Sequence, residues 1–210
     1  MKSVHCLLKF AGVAAIPVYI AFTFASHLSN PAINPLAYWL SDYGNTIVNP
    51  KGAALYNLGC VVTAALLAAF YVGMVRWYRR ERSARKFNIS FAAAQASGLT
   101  GCVFLILTTI FTLGTQTELH KTFSTANMIA MDCFLSFAAV GFLLNPRIPK
   151  AIGIFGFVIS IFNVITMNAF DDFFVAEWIF FALFMVNMVL ITLQYDKLTG
   201  SRPETVLTSG

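Results

Sequence analysis

The chain of 210 residues is 58% hydrophobic and only 11% charged, and its 14 Lys and Arg outnumber 9 Asp and Glu for a net charge of +5. Soluble domains carry roughly 25% charged residues, so this composition, with a mean hydropathy of +0.73, excludes a soluble globular protein. The positive charge does not signal nucleic acid, because the basic residues occupy short gaps between apolar runs, where they act as topology anchors.

Six such runs follow one another at residues 6–26, 53–75, 89–113, 122–144, 151–170 and 176–195, leaving a tail at 196–210. Each approaches the roughly 20 apolar residues that cross a bilayer as a helix. The expected fold is all-α: a polytopic six-transmembrane-helix bundle in which residues 1–210 form a single membrane domain. No gap is long enough for a soluble domain.

The first run exceeds the roughly 7–15 apolar residues of a signal peptide, and Ala25-Ser26-His27 offers no cleavage pattern. It reads as a retained helix bent at Pro17, whose missing N–H interrupts the ladder. The loop that follows, about residues 27–52, is punctuated by Asn30-Pro31, Asn34-Pro35 and Asn49-Pro50. Tyr38 and Trp39 suit the interfacial aromatic belt, and Ser41-Asp42-Tyr43-Gly44-Asn45 is expected to form a polar turn capping the bundle mouth.

Asn57 begins the second run, and residues 76–86 after it form the densest basic cluster, with Arg76, Arg79, Arg80, Arg82, Arg85 and Lys86. In the third run Ala93, Ser97 and Gly101 recur every four positions beside Ala94 and Gly98. Such small faces let backbones approach closely in lipid, which predicts that the third helix is central. Glu118, His120 and Lys121 precede the fourth run, where His120, Ser124 and Asn127 share a face and Asp132 lies deep in the hydrocarbon. A carboxylate at that depth needs a partner or water; Asn163 and Gln95 are the candidates. Gly156 and Ser160 repeat the small-residue spacing in the fifth run, which ends with Asn168, Asp171 and Asp172 on one face; Glu177 opens the sixth.

Lys2, Lys9, the 76–86 cluster, Arg147, Lys150, Lys197 and Arg202 fall on one side of a six-span chain, against Lys51 and Lys121 on the other. Positive-inside bias therefore puts both termini in the cytoplasm and the protein in the cell membrane as a multi-pass chain. The expected partners are membrane lipids, with anionic headgroups at the basic loop from Arg76 to Lys86; nucleic acid is not one. Cys6, Cys60, Cys102 and Cys133 all lie within apolar runs and form no CxxC pair. They read as packing residues rather than as disulfide or metal ligands. Cofactors and oligomeric state leave no signal.

Four polar residues stand at the outer level: Ser41, Asp42, His120 and Glu177. Brought together they would supply an imidazole with a carboxylate partner, the minimum for general acid–base chemistry, and they form the candidate catalytic set. Asn45, Asn57, Asn127, Asp132, Asn168, Asp171 and Asp172 are the candidate pocket lining. Metal binding, if any, would use His120 with Asp42 or Glu177; a single histidine without HxxxH spacing is a weak signal. The plainer alternatives are that Glu177 caps its own helix and that His120 is an interfacial residue without a ligand. GxSxG, HExxH, Walker and GxGxxG patterns are absent from the sequence.

Leu40-Ser41-Asp42-Tyr43-Gly44, Asn49-Pro50, Tyr56-Asn57-Leu58-Gly59, a lone outer histidine at His120 and Glu177 together resemble DUF998, a family of six-helix prokaryotic membrane proteins of unknown function. The resemblance implies that fold and those site positions, and no reaction; Asp171-Asp172 has no counterpart in it. Function therefore divides between a lipid-handling protein or small membrane enzyme with an outer polar site, a transporter or channel carrying an ion or small solute past Asp132, and a scaffold or accessory subunit. Transport paths usually need several deep ionisable groups and often an inverted repeat. Neither is evident, so the first class leads.

Overall fold

The computed structural model describes residues 2–79, 84–169 and 173–199. Six long helices dominate them: α1 (Lys2–His27), α2 (Ala53–Gly73), α3 (Arg85–Ile110), α4 (Thr117–Leu144), α5 (Lys150–Ala169) and α6 (Phe174–Leu193). A short α7 (Tyr195–Thr199) follows, and 3-10 helices lie at Leu40–Gly44 and Met74–Trp77. Among the described residues there is no strand. All six long helices are long and apolar enough to cross a membrane.

Their outer faces are as apolar as their inner ones. Leu7, Phe24, Ile110 and Leu193 are 70%, 60%, 62% and 66% exposed, an arrangement water would penalise and hydrocarbon tolerates. Helix association then depends on close backbone approach rather than on burying apolar surface. Gly98 of α3 receives the Tyr71 ring of α2, Gly141 of α4 receives the Phe91 ring of α3, and Gly153 of α5 lies against the Ala139 carbonyl of α4.

Helix α4, and not the third helix, is central: 61% of its apolar window is buried, against 33% for α3. Small residues on α3 were a guide to one tight contact, with Ala94, Gly98 and Gly101 on the buried face. Helix α4 also begins at Thr117, five residues before the apolar run. Acidic and polar residues are favoured in a first turn by the helix dipole, so hydropathy alone places this start too late. Helix α1 continues through Pro17.

The first and last described segments meet at one end of the bundle, the terminal face. Lys9 Nζ donates to Asp196 Oδ2 at 2.6 Å, and Tyr195 Oη donates to the Gly73 carbonyl at 3.0 Å. Trp77 and Tyr195, fully buried, stack edge-on there at 5.5 Å. The expected tail thus starts as a docked turn of helix. The opposite end, the loop face, carries residues 28–52. Asp171 and Asp172, with Arg80 and Arg82 of the basic cluster and Arg202 of the tail, lie outside the described residues.

Candidate functional site

The loop face is built around the 3-10 helix Leu40–Gly44, held at both ends by side chains from other elements. At its start, Glu177 of α6 accepts hydrogen bonds from the Leu40 N–H at 2.6 Å and the Ser41 N–H at 3.4 Å. At its end, Asn57 of α2 donates to the Gly44 carbonyl at 3.3 Å. Asp42 accepts from the Trp39 N–H at 3.1 Å and from the Asn45 side chain at 3.1 Å, closing the turn internally. A 3-10 helix leaves terminal N–H and C=O groups without internal partners; these contacts satisfy them.

The rest of the loop is tied down as firmly. Asn49, wholly buried, donates to Ser26 Oγ at 2.8 Å and to the Tyr43 carbonyl at 3.0 Å. Trp178 donates its indole N–H to the Tyr38 carbonyl at 3.1 Å. Asn45 accepts from the N–H groups of Ile47 and Val48, and the Thr46 N–H pairs with the Leu113 carbonyl between α3 and α4.

Beneath this cap, a groove of about 560 Å³ runs between α1 and α6. Ile20 and Phe24 form one lip, 53% and 60% exposed, and Ala182 the other. Its roof is Ile33, Leu40 and Tyr43 from the loop. Tyr19, Phe181 and Met185 line both the groove and a smaller apolar cavity of about 50 Å³ inside the bundle, and so stand between the two. Gly12, Gly98 and Gly101 lie on that cavity's wall, Gly12 against the Phe70 ring and Gly98 against the Tyr71 ring.

The groove's polar features are at its loop end. His27, the last residue of α1, has Nδ1 at 2.8 Å from the Tyr43 hydroxyl, which donates to the Ile33 carbonyl at 3.2 Å. Burial raises the Tyr43 phenol above its ordinary pKa, so it keeps its single proton. His120 is therefore not a lone histidine at this face. His27 escaped notice because it ends an apolar run and reads as a boundary.

The expected site residues divide into separate groups. Ser41, Asp42, Glu177, Asn45 and Asn57 come together in the cap, joined through backbone groups. Glu177 does not cap its own helix. His120 is 6% exposed, with Nδ1 at 3.0 Å from the carbonyls of Thr108 and Phe111, so it closes the C-terminal end of α3. Its Nε2 is buried without a hydrogen-bond partner, and Asp42 lies within electrostatic reach of both His120 and Glu177. Asn127 lies below, buried against Gly101 of α3. Asp132 accepts from Asn163 at 2.8 Å, as its depth requires, while Gln95 pairs with Tyr78 and the Tyr71 carbonyl. Asn168 is exposed and bonds the Val164 carbonyl within α5.

Among the described residues no three His, Cys, Asp or Glu side chains are grouped to hold a metal ion. Cys6, Cys60, Cys102 and Cys133 are free thiols. No curated protein and no solved structure matches the chain. The model of the family described as "Protein of unknown function (DUF998)" matches residues 13–196, nearly the whole chain, and every cap residue named above falls within that span. The chain belongs to the DUF998 family.

Proposed function

We propose that the protein handles lipid, taking an apolar chain from the bilayer into the groove between α1 and α6. The observation that carries this reading is a lateral, largely apolar groove between two membrane-spanning helices, with a smaller apolar cavity behind Tyr19, Phe181 and Met185. Ligand sites are typically concave, largely apolar and about 300–1,000 Å³, and the groove falls in that range. Its lips belong to two membrane-spanning helices, so the solvent at its mouth is hydrocarbon rather than water. An apolar cavity stays dry, which suits a hydrocarbon chain and not a hydrated ion. The loop face would lie on the outer side and both termini in the cytoplasm, from the distribution of Lys and Arg; the groove then draws on the outer leaflet of the cell membrane.

The test uses the full chain in nanodiscs and a long-chain methyl ether carrying a mid-chain diazirine. Photolysis should place adducts on α1 and α6 around Tyr19 and Met185. Ala182→Trp, on an exposed lip position, should remove most of them without lowering thermal stability. Labelling spread evenly over all lipid-facing helices, and indifferent to Ala182→Trp, would defeat the proposal.

A further inference from the structure

We propose that the lipid received by this groove is an acyl lipid, and that Thr23 and Tyr19 of α1 form the subsite that binds its carbonyl oxygen. This rests on reading the groove as a lipid site and adds the chemical class of the ligand: a chain joined to its polar end through an ester or amide carbonyl.

The first observation is a count of protons. Tyr19 and Thr23, one helical turn apart on α1, both line the groove. The Tyr19 hydroxyl lies 2.9 Å from that of Tyr56 on α2, and either can donate. Thr23 Oγ1 is buried without a hydrogen-bond partner. Elsewhere in the bundle a helical threonine gives its proton to the carbonyl one turn back, as Thr166 does to Phe162 and Thr192 to Met188. A hydroxyl carries one proton, so three hydroxyls linked in a row hold three protons and make only two bonds among themselves. One proton is left without an acceptor whichever way each bond points. Cys60, buried one turn beyond Tyr56 on α2, extends the row only by adding a thiol proton of its own.

A buried donor without an acceptor is costly, and a ligand that ends the row relieves it. A ligand hydroxyl would take the spare proton but bring another, so the surplus would only move along. A carbonyl oxygen accepts and donates nothing, which closes the row. The second observation is depth. Thr23 lies one turn, about 6 Å at the helical rise, below His27, the last residue of α1. Trp178, an interfacial residue type, lines the groove at the loop end, and the exposed Ile20 and Phe24 flank Thr23 with apolar surface. Each polar interface of a bilayer is about 5–8 Å thick, so Thr23 stands at the level where an acyl chain joins its polar end. The Tyr19 ring is held between Tyr56 and Phe181, both at 6.0 Å, which preorganises one side of the subsite. A helical threonine has two χ1 wells, so the Thr23 hydroxyl turns to an occupant without movement of α1.

Three probes of one chain length, each with the same mid-chain diazirine, separate the alternatives: a methyl ester, a methyl ether and a primary alcohol. Each is photolysed with the full-length protein in nanodiscs. Labelling of α1 and α6 is divided by labelling of the lipid-facing side of α5, around Ile154 and Val158, which reports the local probe concentration. The ester's ratio should exceed the ether's by up to about tenfold, the factor one neutral hydrogen bond supplies. It should exceed the alcohol's as well. Thr23→Val keeps the shape and removes the hydroxyl; it should bring the ester to the ether's level while the ether's own labelling persists. An ester advantage that survives Thr23→Val would overturn the subsite, and strongest labelling by the alcohol would overturn the carbonyl class. If wild-type protein labels equally with ester and ether, and Ala182→Trp lowers both, the groove takes lipid but the carbonyl assignment is wrong. If Ala182→Trp changes none of the three, the groove itself is not the site. The ester-to-ether ratio in wild-type protein decides the carbonyl question even if Thr23→Val does not fold.

Discussion

Glu177 directs its carboxylate to two backbone N–H groups of a helix other than its own, and it does so at 5% exposure. Its stabilising role rests on being an acceptor, which gives a separable prediction. Glu177→Gln retains an oxygen for Leu40 and Ser41 and should unfold close to the wild-type temperature. Glu177→Leu leaves the buried Leu40 N–H without a partner and should destabilise by about 1–3 kcal/mol, the cost of an unsatisfied polar group. Thermal unfolding of the two variants in one detergent checks this; equal stability would show that the clamp contributes nothing. The sequence marks Glu177 as notable because an acid opens an apolar run, but its partner lies 137 residues away. Local reading therefore assigns it to its own helix. Asp132 was more legible: a carboxylate in hydrocarbon demands a partner, and Asn163 lies at matching depth on the neighbouring span.

At the scale of elements, the short 3-10 helix at the loop face is invisible to periodicity, since five residues span too few turns to show a pattern. The three Asn-Pro pairs indicate turns without indicating that the turns pack as a lid. That packing depends on Gly114, which joins α3 to α4 with φ +94° and lies against Asn45 and Ile47 of the loop. A Cβ there would meet Ile47 at 2.8 Å, in a backbone conformation that L-residues rarely adopt. Gly114→Ala should therefore cost about 1–3 kcal/mol, the strain typical of such conformations. The loss should appear as a lower melting temperature, together with faster proteolysis within residues 28–52 as the cap loosens from Leu113. A variant as stable and as protease-resistant as wild type would mean that the cap does not depend on this junction. Of the residues that carry the family resemblance, Leu40 to Gly44, Asn49, Asn57 and Glu177 assemble this cap, while His120 stands apart at the end of α3.

For the whole molecule, the six spans were legible because length and hydropathy are the two properties that a bilayer requires of a helix. The groove was not, since its walls are apolar whether they meet a neighbouring helix, a lipid or a cavity; only the looser approach of α1 to α6 distinguishes them. Sidedness lies between these cases. Lys9, Arg76, Arg79, Arg85, Lys86, Arg147, Lys150 and Lys197 belong to the terminal face, and Lys51 and Lys121 to the loop face. Such an imbalance orients spans during insertion. Single cysteines at Lys51, Lys86 and Lys197, all exposed, introduced after replacing the four native thiols, report the result. In intact cells an impermeant maleimide should modify Lys51→Cys, and it should reach Lys86→Cys and Lys197→Cys only after permeabilisation. The opposite pattern would invert the bundle and make the groove between α1 and α6 draw on the inner leaflet.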